Sequence, residues 1–102
     1  MAKIKVGNVN ELQNGEVKKI EVDDKVVLLV KDQDQFFAID NACTHAGCSL
    51  EEFGNVSVRQ IECTCHGSKF DLKTGQVTNL PAQRPLKIYP VKIEGSDVFI
   101  EI

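Results

Sequence analysis

Apolar and polar residues alternate through most of the chain with a period of two. Ile4 and Val6 are interleaved with Lys3 and Lys5, and Ile20 and Val22 with Lys19 and Glu21. Side chains two apart share one face of a strand, so these segments read as strands with an apolar and a wet face. Residues 26–30 replace the alternation with an unbroken aliphatic run, Val-Val-Leu-Leu-Val, the mark of a central strand. Turn chemistry separates the segments: Asn14-Gly15, Asp23-Asp24, and the polar stretch 32–35 before the strand at 36–39. This half of the chain predicts a β-meander with a turn roughly every ten residues.

Beyond residue 41 the alternation fades, then returns. Residues 57–62 read as one strand, and Lys73-Thr74-Gly75 as a hairpin turn between strands at 70–72 and 76–77. Residues 79–85 hold Pro81 and Pro85 and predict an irregular loop. Leu86 and Ile88 share one parity, Val91 and Ile93 the other, so a bulge or a sheet edge is expected at Tyr89-Pro90. Gly95-Ser96 turns the chain into a last strand carrying Val98, Ile100 and Ile102. No stretch of helical length shows a helical period. The expectation is an all-β, antiparallel sandwich or barrel of about nine short strands with a loop-built site inserted mid-chain.

Length and charge narrow the class. A chain of 102 residues has room for one modest core and is expected to form a single domain, 1–102. A net charge of −3 leaves no electrostatic footprint for nucleic acid. The longest aliphatic run is far too short to span a bilayer, and the N-terminal stretch lacks the apolar core of a signal peptide. A cytoplasmic protein with no membrane association is therefore expected, and cysteines in that compartment suggest metal or redox chemistry before a disulfide framework.

The chemistry is concentrated. All four cysteines (Cys43, Cys48, Cys63, Cys65) and both histidines (His45, His66) fall between positions 43 and 66. They form two clusters, Cys43-Thr-His45 and Cys63-Thr-Cys65-His66, separated by residues 46–62. Two soft-ligand clusters on two loops can grip one metal centre from both sides, and a metal centre would explain a long loop inside a small domain. A zinc site could draw on the same residue types, but zinc favours Cys-x-x-Cys with a longer His–His spacing. Cys63 and Cys65 could also be a redox pair, which leaves both histidines unexplained.

The pattern resembles the signature of Rieske-type iron–sulfur proteins. The likeness runs from CTHAGC at 43–48 through CTCHGS at 63–68, the hairpin KFDLKTGQV at 69–77 and the proline loop LPAQRPL at 80–86. In size it is closest to the free-standing Rieske ferredoxins. The resemblance implies a Rieske fold with a cluster-binding subdomain at about 41–82, and one 2Fe–2S cluster held by Cys43, His45, Cys63 and His66. Two ferric ions, two sulfides and two thiolates sum to neutral, so an electron is accepted more readily than by an all-cysteine cluster. Each histidine keeps a second ring nitrogen able to exchange a proton with water.

The resemblance also implies roles around the cluster. Cys48 and Cys65 match cysteines that form a disulfide in high-potential relatives; two reduced thiols are the alternative, since a cytosolic disulfide is disfavoured. Gly47 and Gly67 would let backbone N–H groups approach the sulfurs. Ser68 stands where the family places a hydroxyl donor to a bridging sulfide, and Phe70 where high-potential members have tyrosine. Pro81 would belong to the loop covering the cluster. The function implied is electron transfer from a reductase to an oxygenase or similar acceptor, by a monomer with transient protein partners and no catalysis of its own. A small redox subunit resembling that of nitrite reductases, or a redox-sensing module, is the alternative.

Overall fold

The computed structural model describes residues 3–44, 47–80 and 82–102; His45 and Pro81, singled out above, lie outside the described residues. Among the described residues, eleven strands and one short helix follow in order: β1 (Lys3–Asn8), β2 (Val17–Val22), β3 (Lys25–Asp32), β4 (Gln35–Asp40), α1 (Leu50–Phe53), β5 (Gly54–Ser57), β6 (Gln60–Cys63), β7 (Ser68–Asp71), β8 (Val77–Asn79), β9 (Ile88–Tyr89), β10 (Val91–Glu94) and β11 (Asp97–Glu101). They build three antiparallel sheets, in the orders β1-β11-β10, β2-β3-β4-β9 and β5-β6-β7-β8. The all-β reading holds, with more and shorter strands than the nine expected.

The aliphatic run in β3 explains how the sheets stack. Val27 and Leu29 join Val6, Ala38, Tyr89, Val98 and Ile100 in one core, shared with the β1-β11-β10 sheet. Leu28 and Val30 join Ile39, Ile61, Phe70 and Leu72 in the other, shared with the β5-β6-β7-β8 sheet. Alternate side chains point to opposite faces. The middle sheet is therefore apolar on both sides of β3, and all four residues are 2% exposed or less.

Two local readings differ from expectation, and a third, the sheet edge at Tyr89-Pro90, holds. The segment 57–62 is not one strand but two, β5 and β6, paired Val56 to Ile61 and Ser57 to Gln60 around a two-residue turn. That turn places Val58 at φ 31° and Arg59 at φ 63°, a left-handed conformation no glycine or asparagine announces. It is held from outside: the buried Asp32 carboxylate accepts the Arg59 N–H at 2.6 Å, and the Arg59 carbonyl accepts the Leu72 N–H at 2.8 Å. The helix α1 is a single turn, too short for its period to register in sequence. At Tyr89-Pro90 the chain passes from β9, the edge of the middle sheet, to β10, the edge of the first. The parity switch records a change of sheet.

Candidate iron–sulfur centre

The second ligand cluster is the turn of a β-hairpin. Cys63 ends β6 and pairs with Ser68, which begins β7, leaving residues 64–67 as a four-residue loop. Strand alternation puts Ile61, Cys63, Ser68 and Phe70 on the inward face, and all four are fully buried. Cys65 is partly buried, and His66, at the tip, is exposed. The Gly67 N–H donates to the Cys63 carbonyl at 2.8 Å, with Gly67 at φ 88°.

The first cluster sits on a loop closed in a like manner. The Gly47 N–H donates to the Cys43 carbonyl at 2.7 Å, with Gly47 at φ 71°, and the Cys43 N–H donates to the Cys48 carbonyl at 2.9 Å. Below it, Ala42 bridges to Ser49, the Leu50 N–H donates to the Asn41 carbonyl at 2.7 Å, and the Glu51 N–H donates to Asn41 Oδ1 at 2.9 Å. Both loops thus read Cys-Thr-x-x-Gly, closed by a hydrogen bond from the glycine to the cysteine. Among the described residues, a Cβ on either glycine meets nothing within 4 Å, so the need for glycine shown here is the positive φ.

The sequence reading passed over the two threonines. Thr44 Oγ1 donates to the Arg84 carbonyl at 2.7 Å; Thr64 donates to the Phe53 carbonyl through both its N–H and its Oγ1, each at 2.8 Å. The identical Cys-Thr start of both motifs was the available signal. Threonine here fixes each ligand loop to a neighbouring segment. The end of β8 and the segment after it are tied to both loops: Asn79 Nδ2 donates to the Gly67 carbonyl at 2.8 Å, the Ala82 N–H donates to Ser68 Oγ at 3.0 Å, and the Arg84 carbonyl takes the Thr44 hydroxyl.

Cys48 and Cys65 are joined by a disulfide that links the two loops. Cys43 and Cys63 lie outside that bond, 1% and 0% exposed, in the core shared with Leu50, Ala82 and Leu86. The sulfurs of Cys48, Cys63 and Cys65 lie within 4.8 Å of one another. Two of these sulfurs are already bonded to each other, so the thiol of Cys63 is the ligand this trio offers.

The sequence profile of the Rieske [2Fe-2S] domain matches residues 2–90. The chain belongs to the Rieske [2Fe-2S] family. It is 37% identical over 97 residues to the biphenyl dioxygenase ferredoxin subunit of Pseudomonas sp. strain KKS102, covering 95% of this chain and 89% of that one. It is 36% identical over 92 residues to the ferredoxin component of the naphthalene 1,2-dioxygenase system of Pseudomonas aeruginosa, covering 90% and 88%. The ferredoxin of carbazole 1,9a-dioxygenase from Nocardioides aromaticivorans IC177 superposes with a TM-score of 0.90 at 31% identity, covering 98% of this chain and 97% of that one. The Sphingomonas yanoikuyae B1 ferredoxin gives the same score and identity over 99% of each.

The donor set suits a Rieske cluster. Two thiols are buried on the inward side, where an apolar wall excludes water, and one imidazole is exposed on the outward side. Burying the thiolate end and wetting the histidine end matches the chemistry of each donor. Ser68 Oγ accepts the Ala82 N–H at 3.0 Å, which ties the start of β7 to the segment after β8. Phe70, the largest fully buried side chain among the described residues, contributes no polar atom and packs in the core cluster that contains Cys63.

Proposed function

We propose that the chain is the one-electron carrier of an oxygenase system, with Cys43 and Cys63 on one iron of a 2Fe–2S cluster and His45 and His66 on the other. Such a cluster supplies reversible one-electron storage near neutral charge. The observation carrying this reading is the pair of matched Cys-Thr-x-x-Gly loops, which present two buried thiols and an exposed histidine. The hairpin of β6 and β7 and the loop around Cys43 hold the ligands; the Cys48–Cys65 disulfide keeps the loops at a fixed spacing. Gly47 and Gly67 supply the tight backbone, and Ser68 is the hydroxyl donor the family resemblance implies; the role expected of Pro81 falls outside the described residues.

His66 is where electrons would enter and leave. It is exposed, and so are Phe53 at 41% and Leu80 at 69%, whose segments are hydrogen-bonded to the same loop through Thr64 and Gly67. Two exposed apolar side chains on segments bonded to the loop of an exposed ligand suit a small, transient contact with a reductase and then an oxygenase. We take residues 1–102 as one domain with its cluster-binding part at about 41–82, acting as a monomer. Among the described residues no helix is long and apolar enough to cross a membrane. The cytoplasmic location expected from the sequence stays with this proposal, and cell fractionation tests it.

A potentiometric titration tests the carrier role. The expected result is one reversible one-electron wave within the Rieske range of roughly −150 to +300 mV. Absence of any reversible wave in iron- and sulfide-replete protein would overturn it.

A further inference from the structure

We propose that Cys48, Cys63 and Cys65 form a thiol–disulfide exchange site that the bound cluster holds inactive and that cluster loss switches on. The inference rests on the reading of Cys63 as a cluster ligand. It starts from the three sulfurs within 4.8 Å of one another, two bonded and the third a buried thiol. A thiolate beside a disulfide is a nucleophile beside its electrophile. Ligation to iron engages the Cys63 sulfur and fixes its side chain. Released from iron, that side chain needs only rotation to approach the bridge, and burial at 0% exposure restricts it to this one intramolecular target.

The step is balanced within the chain. The Cys63 sulfur gives up its proton, which in the sum passes to the departing Cys65 sulfur, and forms a bond to the Cys48 sulfur. The Cys48–Cys65 bond breaks, and the Cys65 sulfur leaves with the bonding pair and takes up a proton. One disulfide and one thiol remain, so no outside oxidant is involved. Attack falls on Cys48 because a bridge from Cys63 to Cys65, with only Thr64 between them, would close a small strained ring. Cys65 is partly exposed, so the displaced thiol lies where reagents can reach it. The exchanged chain has lost Cys63 as a ligand and cannot take up a cluster until a dithiol reductant frees it.

Non-reducing peptide mapping tests this on the purified full chain, before and after iron is removed with a chelator under nitrogen. Quenching and digestion in acid prevent exchange during handling, because the thiolate is the reacting form. The cluster-bearing chain is expected to give the Cys48–Cys65 bridge alone. After chelation the Cys48–Cys63 bridge should rise to at least about a tenth of bridged chains, the share of an isomer tenfold less stable. Cys65 should then react with a maleimide. Cys43→Ser, which loses a ligand but keeps the trio, should show the exchanged bridge without chelation; Cys63→Ser should retain Cys48–Cys65. Persistence of Cys48–Cys65 as the sole bridge after cluster loss in the natural chain overturns the proposal, whatever the variants do. A chain isolated without iron and sulfide would end the cluster reading, yet the exchange is decided by the same mapping, through the presence or absence of the Cys48–Cys63 bridge.

Discussion

Single residues set the potential and the alkaline limit of stability. Ser68 Oγ accepts the buried Ala82 N–H, and the proposed role of its hydroxyl is to stabilise the more negative reduced cluster. Ser68→Ala should lower the potential by roughly tens of millivolts, where about 59 mV is tenfold for one electron. The same change strands a buried donor and should cost about 1–3 kcal/mol in a denaturant melt. Phe70→Tyr adds a hydroxyl two residues along the same inward face and should shift the potential upward by a similar amount, roughly tens of millivolts. Tyr89 behaves differently. Burial, then its hydrogen bond to Asp40 Oδ1 at 2.9 Å, push its hydroxyl from 10.0 up to about 12. The folded state thus favours the neutral phenol. Its stabilising contribution is complete below pH 10 and is lost as pH rises through about 12. Melting temperature measured from pH 9 to 12 should fall in that window, and Tyr89→Phe should flatten that part of the decline.

At the scale of elements, what the sequence discloses depends on whether local chemistry or distant contacts determine the conformation. The β2-β3-β4 meander was legible because alternation, the aliphatic run and polar turns all agree. The hairpin at Lys73-Thr74-Gly75 was legible through its glycine, at φ 78° against the Leu86 carbonyl. The β5–β6 turn was not, because Val58 and Arg59 are poor residues for a left-handed turn and the turn is held by Asp32 and Leu72, distant in sequence. Thr44, Thr64 and Asn41 were missed likewise: their partners Arg84, Phe53 and Glu51 belong to segments whose approach only the fold reveals. The Cys/His clusters were legible because their residue types are rare and their spacing is specific. Val58 offers a direct check. It is 70% exposed, so little packing is lost on substitution, while a β-branched residue at φ 31° is strained. Val58→Asn should raise stability by about 1 kcal/mol in chemical denaturation with the potential unchanged.

Over the whole molecule, β3 divides the protein into a core that supports the ligands and a core that does not. Leu28 packs in the cluster containing Cys43, Cys63 and Phe70, while its neighbour Leu29 packs with Val6, Val98 and Ile100. Both are buried, at 0% and 2% exposure. Truncating either to alanine should therefore cost a similar amount, about 2–5 kcal/mol. Only Leu28→Ala should also quicken cluster loss, followed as bleaching of visible absorbance in the presence of chelator at temperatures well below unfolding. Equal bleaching rates for the two variants would mean that the two cores are coupled more strongly than their separate memberships indicate.

The central claim is that two cysteines and two histidines hold an iron–sulfur cluster. Metal and acid-labile sulfide analysis of protein purified from iron-replete cells under nitrogen tests it most directly. The account predicts about two irons and two sulfides per chain, with a red-brown colour and no stoichiometric zinc. Cys43→Ser and Cys63→Ser should each abolish both iron and sulfide. Colourless protein with one zinc per chain and no sulfide would contradict the account.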